Sequence, residues 1–333
     1  MARIRLVAFA LAVTVAIVAL QNFAIAAFFP HLDRLATDFS PAYLERELGG
    51  LANAPAQTII LGDSVLWGYR VRPAETAASI LAAQGCACRN FSFKTGSPPN
   101  YYALVRLFQE YRIRPKALVL EVNQKALNEA DPAYRKLHPT LATLAAPLLG
   151  GGDRAMLEPP PQPGPFERWL DQTLSPMWLL YAMRADIRTT LYGDPDAVTV
   201  QHPTPDLYEG TYDLTPLTEK NVGVHFLEET VDYARAAGVP VIAFMTPTNH
   251  VLLHEFIDSP QYRKNGLFLR GLLEKRGARV LDLDTAFRAD EFFDNAHLRP
   301  PAQRRLAAII ARALARISHS GIAFDPQRVR FQK

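Results

Sequence analysis

The chain begins with a nearly unbroken apolar stretch. From Leu6 to Phe29 only Thr14, Gln21 and Asn22 interrupt it, and Arg3 and Arg5 stand ahead of it. A helix needs roughly 20 such residues to cross a bilayer, and basic residues before the run favour a cytoplasmic N-terminus. The pattern predicts a single-pass anchor over residues 1–29. A cleaved signal peptide is the alternative, because Ala24-Ile25-Ala26 fits a small-x-small cleavage site. Either route exports everything that follows.

After a stalk assigned to residues 30–56, the pattern changes to short apolar runs alternating with amphipathic stretches. The runs Gln57–Leu61, Arg89–Phe93, Lys116–Val122, Val241–Met245 and Arg279–Leu283 read as strands. Between and after them, Glu75–Gln84, Tyr101–Tyr111, Glu219–Ala237, Tyr262–Lys275 and Pro301–Ile317 carry helical spacing. Strands alternating with helices predict an α/β domain, a three-layer sandwich around a central parallel sheet. Residues 128–215 break this rhythm with Gly150-Gly151-Gly152 and the proline-rich run from Glu158 to Pro165. Proline has no N–H to give a sheet ladder. The stretch reads as a mainly helical insert over one edge of the sheet, with a helix from Phe166 to about Thr190, inside a domain of residues 57–317.

Composition confirms a globular chain without choosing its chemistry. Of 333 residues 49% are hydrophobic and 21% charged, which excludes a disordered polyelectrolyte. The formal charge of +3 is local. Arg299, Arg304, Arg305, Arg312, Arg316, Arg328, Arg330 and Lys333 face only Asp325 in residues 299–333, so the body before them is mildly acidic. On the last helix these arginines oppose an apolar stripe, and residues 318–333 form a basic tail. This distribution gives no reason to expect nucleic acid. Cys86 and Cys88, the only cysteines, exclude a disulfide framework and a four-cysteine zinc site, and are expected as two independent buried thiols.

Candidate chemistry lies where predicted strands end. Gly62-Asp63-Ser64 follows the first strand, with Gly68 closing the turn. Near the other end of the chain, Asp294 and His297 stand in D-x-x-H spacing before the final helix. Serine needs a base within hydrogen-bond reach, and the base needs an orienting carboxylate; these residue types supply both. Asn123 at a strand end and Gly96 in the Asn90–Gly96 segment are candidate donors to a developing oxyanion. Trp67, Asn249 and His250 are candidates to line the site. D-x-x-H on its own could also be half a metal site, but no metal is expected.

Taken in order, Gly62-Asp63-Ser64, Gly96, Asn123 and Asp294-x-x-His297-Leu298 resemble the four blocks of the SGNH or GDSL hydrolase superfamily. The resemblance covers about Thr58 to Ile317, with the insert outside it. It implies Ser64 as nucleophile, His297 as general base and then acid, and Asp294 as its orienter. Gly96 and Asn123 would join the Ser64 backbone N–H in the oxyanion hole, with Ser92 or Thr95 as alternatives to Gly96. Glu121-Val122-Asn123-Gln124 stands where the superfamily usually reads G-x-N-D. An anchor followed by such a domain is similar to the bacterial proteins that O-acetylate envelope polysaccharides, those of alginate acetylation among them. The motifs themselves are closer to those of ordinary esterases. The resemblance implies an inner-membrane protein with its catalytic domain in the periplasm. It would need no cofactor and would act on O-acetyl groups of an acetylated or acetylatable glycan, beside a multi-pass membrane acyltransferase as partner. A lipase or thioesterase, or a degenerate domain that binds glycan or scaffolds a membrane complex, are the other readings.

Overall fold

The computed structural model describes residues 2–28, 41–129, 131–158, 164–174, 177–178, 204–212 and 214–319. Five strands form one sheet: β1 (Thr58–Leu61), β2 (Cys88–Asn90), β3 (Ala117–Val122), β4 (Val241–Met245) and β5 (Arg279–Asp282). All pairings are parallel, in the order β2-β1-β3-β4-β5. The order switches direction between β1 and β3, and open α/β sheets bind ligands outside the carboxyl ends of the strands at such a switch point.

Two-residue periodicity sorts the strand side chains to opposite faces. Ile59, Leu61, Leu118, Leu120, Val122, Val241, Ala243 and Met245 enter one core. Ile60, Val119 and Phe244 enter the other. The first core is closed by the helices Pro41–Ala52, Pro98–Glu110, Val222–Ala236 and Pro260–Lys275. Across the sheet, Ala77–Ala83 and Pro300–His319 supply Ala77, Leu81, Leu306 and Ile310. This is the three-layer arrangement that the alternating pattern predicts.

The stalk reading fails over residues 41–52. They form a helix whose Leu44 and Leu48 are wholly buried against the first core. Burying each leucine contributes about 1.5–3 kcal/mol, which is why this segment docks onto the sheet rather than spanning solvent. Residues 29–40 lie outside the described residues, as do residues 320–333 of the expected tail.

Two compact units divide the chain: Met1–Asp38 with Pro161–His202, and Phe39–Pro160 with Pro203–Lys333. The insert is thus split. In the sheet-bearing unit, Leu141, Ala145 and Leu149 join the first core. Asn128 Nδ2 donates to the carbonyls of Gly210 and Thr211, tying the insert's two ends together. The other unit holds the Ala2–Phe28 and Pro165–Leu174 helices. Within it, Asn22 Nδ2 donates to the Met177 carbonyl and Trp178 Nε1 to Gln21 Oε1. The polar residues that interrupt the apolar run are therefore satisfied inside this unit. Phe9, Leu11, Leu20 and Phe23 of the long helix are exposed. Among the described residues no helix is long and apolar enough to cross a membrane, so the fold does not show the expected anchor. Beyond Leu174, the predicted Phe166–Thr190 helix runs mostly outside the described residues.

The cysteines are not independent. Both remain free thiols and pack against the same core. Residues two apart on extended chain share a face, and the Cys88 thiol donates to the Ala78 carbonyl at 3.7 Å. The neighbouring Cys88 thiol lowers the Cys86 thiol to about 7, with a smaller contribution from Thr58 against the opposing effect of burial. Cys86 in turn pushes the Cys88 thiol up, as does burial.

Candidate active site

The nucleophile turn is built from the end of β1 outward. Asp63 caps the short helix Ser64–Trp67: its backbone is extended and its Oδ1 accepts from the Val65 N–H at 2.8 Å. Gly68 ends the turn with φ of 85°, a left-handed conformation that glycine adopts without Cβ strain, and its N–H returns to the Ser64 carbonyl. Ser64 is thereby held at the first helical position, where a backbone N–H has no intrahelical partner. Its N–H has no acceptor among the described residues.

The D-x-x-H segment closes on this turn from the far end of the chain. Asp294 Oδ1 accepts from the backbone N–H of Ala296 and of His297, folding the loop into a tight bend. The same carboxylate, 4% exposed, lies 2.8 Å from His297 Nδ1. His297 Nε2 in turn lies 2.7 Å from Ser64 Oγ. With Nδ1–H donating to the carboxylate, Nε2 is the nitrogen that accepts the Ser64 hydroxyl proton. Burial alone would raise the Asp294 carboxyl. The hydrogen bonds and charge of His297, together with the Ala296 N–H, outweigh it and hold Asp294 below the usual carboxylate range. Asp294 therefore stays ionised beside the imidazole, as an orienting carboxylate must.

Support for this loop comes from the segment after β4, where Asn249 caps the helix His250–Ile257. Asn249 Nδ2 donates to the Asp294 carbonyl at 3.1 Å and its N–H to the Asn295 carbonyl at 2.8 Å. The Tyr69 ring also packs against His297, tilted at 44° with centroids 4.6 Å apart. Gln303 of the last helix reaches Ser64's neighbours, donating to the Val65 carbonyl and accepting from the Ala77 N–H.

The oxyanion candidates divide. Asn123 Nδ2 donates to Asp63 Oδ2 at 2.8 Å while Asn123 Oδ1 accepts from the Lys125 N–H. An amide nitrogen carries two hydrogens, so one remains for a substrate oxygen. Gly96 is different. Its N–H is already bonded to the Phe93 carbonyl at 3.0 Å, so the expectation of a free donor there is not met. The structure gives Gly96 a steric reason instead: a Cβ would collide with the Gly62 carbonyl and crowd the Asp63 Cα at 3.0 Å. Of the alternatives, Thr95 is exposed, and Ser92 is 2% exposed with an Oγ that has no hydrogen-bond partner among the described residues.

The softer candidates are placed as follows. Trp67 is half-buried against the first core with the Lys94 ammonium 5.2 Å from its ring centroid, so the cation already occupies part of the surface a sugar would use. His250 is turned to Asp284, with Nε2 2.9 Å from Oδ2, and Asp284 also accepts from Tyr262 OH. Asn249 thus supports the catalytic loop, whereas His250 belongs to a neighbouring polar cluster. Among the described residues no group of three or more His, Cys, Asp or Glu is placed to hold a metal.

Sequence reading missed Glu121 and Thr246. Glu121 is 0% exposed; its Oε2 accepts from the Asp63 N–H and its Oε1 from the Thr246 hydroxyl, both at 3.0 Å. A signal was present, since a glutamate ends the otherwise apolar run Ala-Leu-Val-Leu of a buried strand.

The arrangement is a nucleophile, a base and an orienting carboxylate in hydrogen-bond sequence, with an amide and a backbone N–H beside them, which equips it for acyl transfer through serine. No family model matches the chain, and no curated protein does. Among solved structures, it is similar to a carbohydrate acetylesterase from Sinorhizobium meliloti, at 10% identity and a TM-score of 0.43, with 79% of this chain and 100% of that one covered. It is also similar to an aryl esterase from M. smegmatis (9%, TM-score 0.41, 79% and 99%) and to a psychrotrophic esterase from Pseudoalteromonas sp. (12%, TM-score 0.39, 79% and 99%). Likenesses this distant do not bear on activity, and what the site does rests on its own geometry.

Proposed function

We propose that this chain is an SGNH-type serine esterase or acyltransferase that removes or transfers O-acetyl groups on cell-envelope polysaccharide. The observation that carries this reading is the continuous relay Ser64 Oγ to His297 Nε2 and His297 Nδ1 to Asp294, at 2.7 and 2.8 Å.

The chemistry follows from those contacts. Ser64 Oγ attacks the acetyl carbonyl as His297 Nε2 takes its proton, and Asp294 stabilises the imidazolium that forms. The Ser64 N–H and the second Asn123 Nδ2 hydrogen receive the negative charge of the carbonyl oxygen. Collapse expels the sugar alkoxide, which takes the proton from His297 and leaves acetyl-Ser64. Water or another sugar hydroxyl then attacks the acetyl group, gives its proton to His297, and frees Ser64. Hydrolysis and transfer share every step except the identity of this second acceptor.

The N-terminal apolar run behind Arg3 and Arg5, together with the exposed Phe9, Leu11, Leu20 and Phe23, supports an exported domain held at a bacterial inner membrane. An acetylatable glycan and a multi-pass acyltransferase as acetyl source fit that placement. Protease digestion of spheroplasts tests it: the domain is expected to be cut without lysis, and protection would place it in the cytoplasm.

For the activity, the test is hydrolysis of p-nitrophenyl acetate by the purified protein. Turnover is expected in the wild type and a loss of at least about 10³-fold in Ser64→Ala. Unchanged turnover in that variant would remove Ser64 as nucleophile.

A further inference from the structure

Among the described residues, Glu121 is the one fully buried carboxyl that the acyl-transfer steps leave unused. It sits at the carboxyl end of β3, directly under the turn that carries Ser64, and joins three segments. Its Oε2 receives the Asp63 N–H from the end of β1, and its Oε1 receives the Thr246 hydroxyl from the end of β4, where the Thr246 N–H also bonds the Val122 carbonyl. Gly62 makes room for it: a Cβ there would collide with Glu121 Oε2 and come within 2.7 Å of Leu66 Cδ1. The glycine of the G-D-S turn and the glutamate below it are thus sterically complementary.

Two carboxyl groups meet at this point. Asp63 receives two donors, the Val65 N–H and Asn123 Nδ2, at the start of a helix. Glu121 has no exposure, and among the described residues neither group is paired with a Lys, Arg or His. Tyr101, itself buried, lies near both, and Tyr134 and Tyr212 lie near Asp63. Adjacent buried carboxyls without a cation do not both ionise. The proton belongs on Glu121, the more deeply buried of the two.

We propose that Glu121 is a positioning residue for the reaction at Ser64: a neutral carboxylic acid that fastens the nucleophile turn to β3 and β4 and leaves Asp63 the single negative charge that aims the Asn123 amide at the oxyanion. Burial first, and then the charge of Asp63, push the Glu121 carboxyl well above its usual range, in keeping with this role. The inference deepens the acyl-transfer reading and uses its site.

Infrared spectroscopy of the purified full chain tests the proton directly. The C=O stretch of a protonated carboxylic acid is expected at neutral pH in the wild type and is expected to disappear in Glu121→Gln. Kinetics on p-nitrophenyl acetate test the positioning. Glu121→Gln, a neutral isostere, is expected to keep kcat within about threefold, whereas Glu121→Ala is expected to lose about 10- to 100-fold in kcat with KM little changed. A wild type lacking the band, or a Glu121→Gln variant as impaired as Glu121→Ala, would show that the carboxylate form is required and overturn the proposal. Wild-type rates in both variants would overturn it as well. If Glu121→Ala does not fold, the infrared band and the Glu121→Gln rate decide the matter. The spectrum does not depend on turnover, so a failed esterase reading would show itself separately, as Ser64→Ala with undiminished activity.

Discussion

Gly96 packs against the Gly62 carbonyl so closely that a methyl group on it would overlap that oxygen. The second motif glycine therefore shapes the nucleophile turn from outside, while its own N–H is spent on the Phe93 carbonyl. Because the obstructing atoms are backbone, they yield only by moving Gly62 and Asp63, and Ser64 with them. Gly96→Ala is expected to cost about 1–3 kcal/mol in stability and to lower kcat on p-nitrophenyl acetate about 100-fold. Thermal unfolding and steady-state kinetics measure both; full activity in a normally stable variant would show that the turn tolerates the displacement.

Asn123 is placed to act on the transition state through its second amide hydrogen. Asn123→Ala removes that donor and is expected to lower kcat by about 10²–10³-fold, with KM changed far less. Equal losses in binding and turnover would assign the residue to substrate binding instead.

Asp294→Asn keeps the size of the side chain but removes the charge beside His297. The expected loss in kcat is about 10²–10⁴-fold. The same residue sets an acid limit to stability. Its carboxyl lies below the ordinary value when folded, so the unfolded chain binds the proton more readily. The stabilisation it contributes is complete above about pH 4 and is lost as pH falls through the folded value. Denaturant unfolding between pH 7 and 3 is expected to show a steeper decline for the wild type than for Asp294→Asn; parallel curves would contradict this.

The thiol pair at the amino end of β2 makes a prediction independent of catalysis. Cys86, lowered to about 7, is half thiolate near neutrality, whereas Cys88 is held protonated. Iodoacetamide is expected to modify Cys86 first, with a rate that rises through about pH 7 and levels above it. Cys88→Ala removes the neighbouring thiol that lowers it, and the midpoint should move upward. Peptide mass spectrometry reports both; preferential modification of Cys88 would refute the assignment.

The sequence by itself determined the sheet and marked the two segments that the fold brings together at Ser64 and His297. The runs Thr58–Leu61, Ala117–Val122 and Val241–Met245 became the three buried central strands because a buried strand in a covered sheet is marked by near-continuous apolar character, which is local, while the edge strands Cys88–Asn90 and Arg279–Asp282 are only partly buried. Gly62-Asp63-Ser64 and Asp294-x-x-His297 were legible for a similar reason, since a cap, a tight turn and an i,i+3 contact are fixed by near neighbours. Tertiary structure decided whatever depended on distant chain. It brought His297 within 2.7 Å of Ser64 across 233 residues. It also took the Gly96 N–H out of the donor set, turned His250 to Asp284, recruited residues 41–52 into the core, and split the insert between two units. Glu121 shows the division most clearly. A glutamate in an apolar run stands out in the sequence, but its role emerges only once the fold sets it beneath Gly62, where a missing side chain just past β1 makes space for a carboxyl from β3.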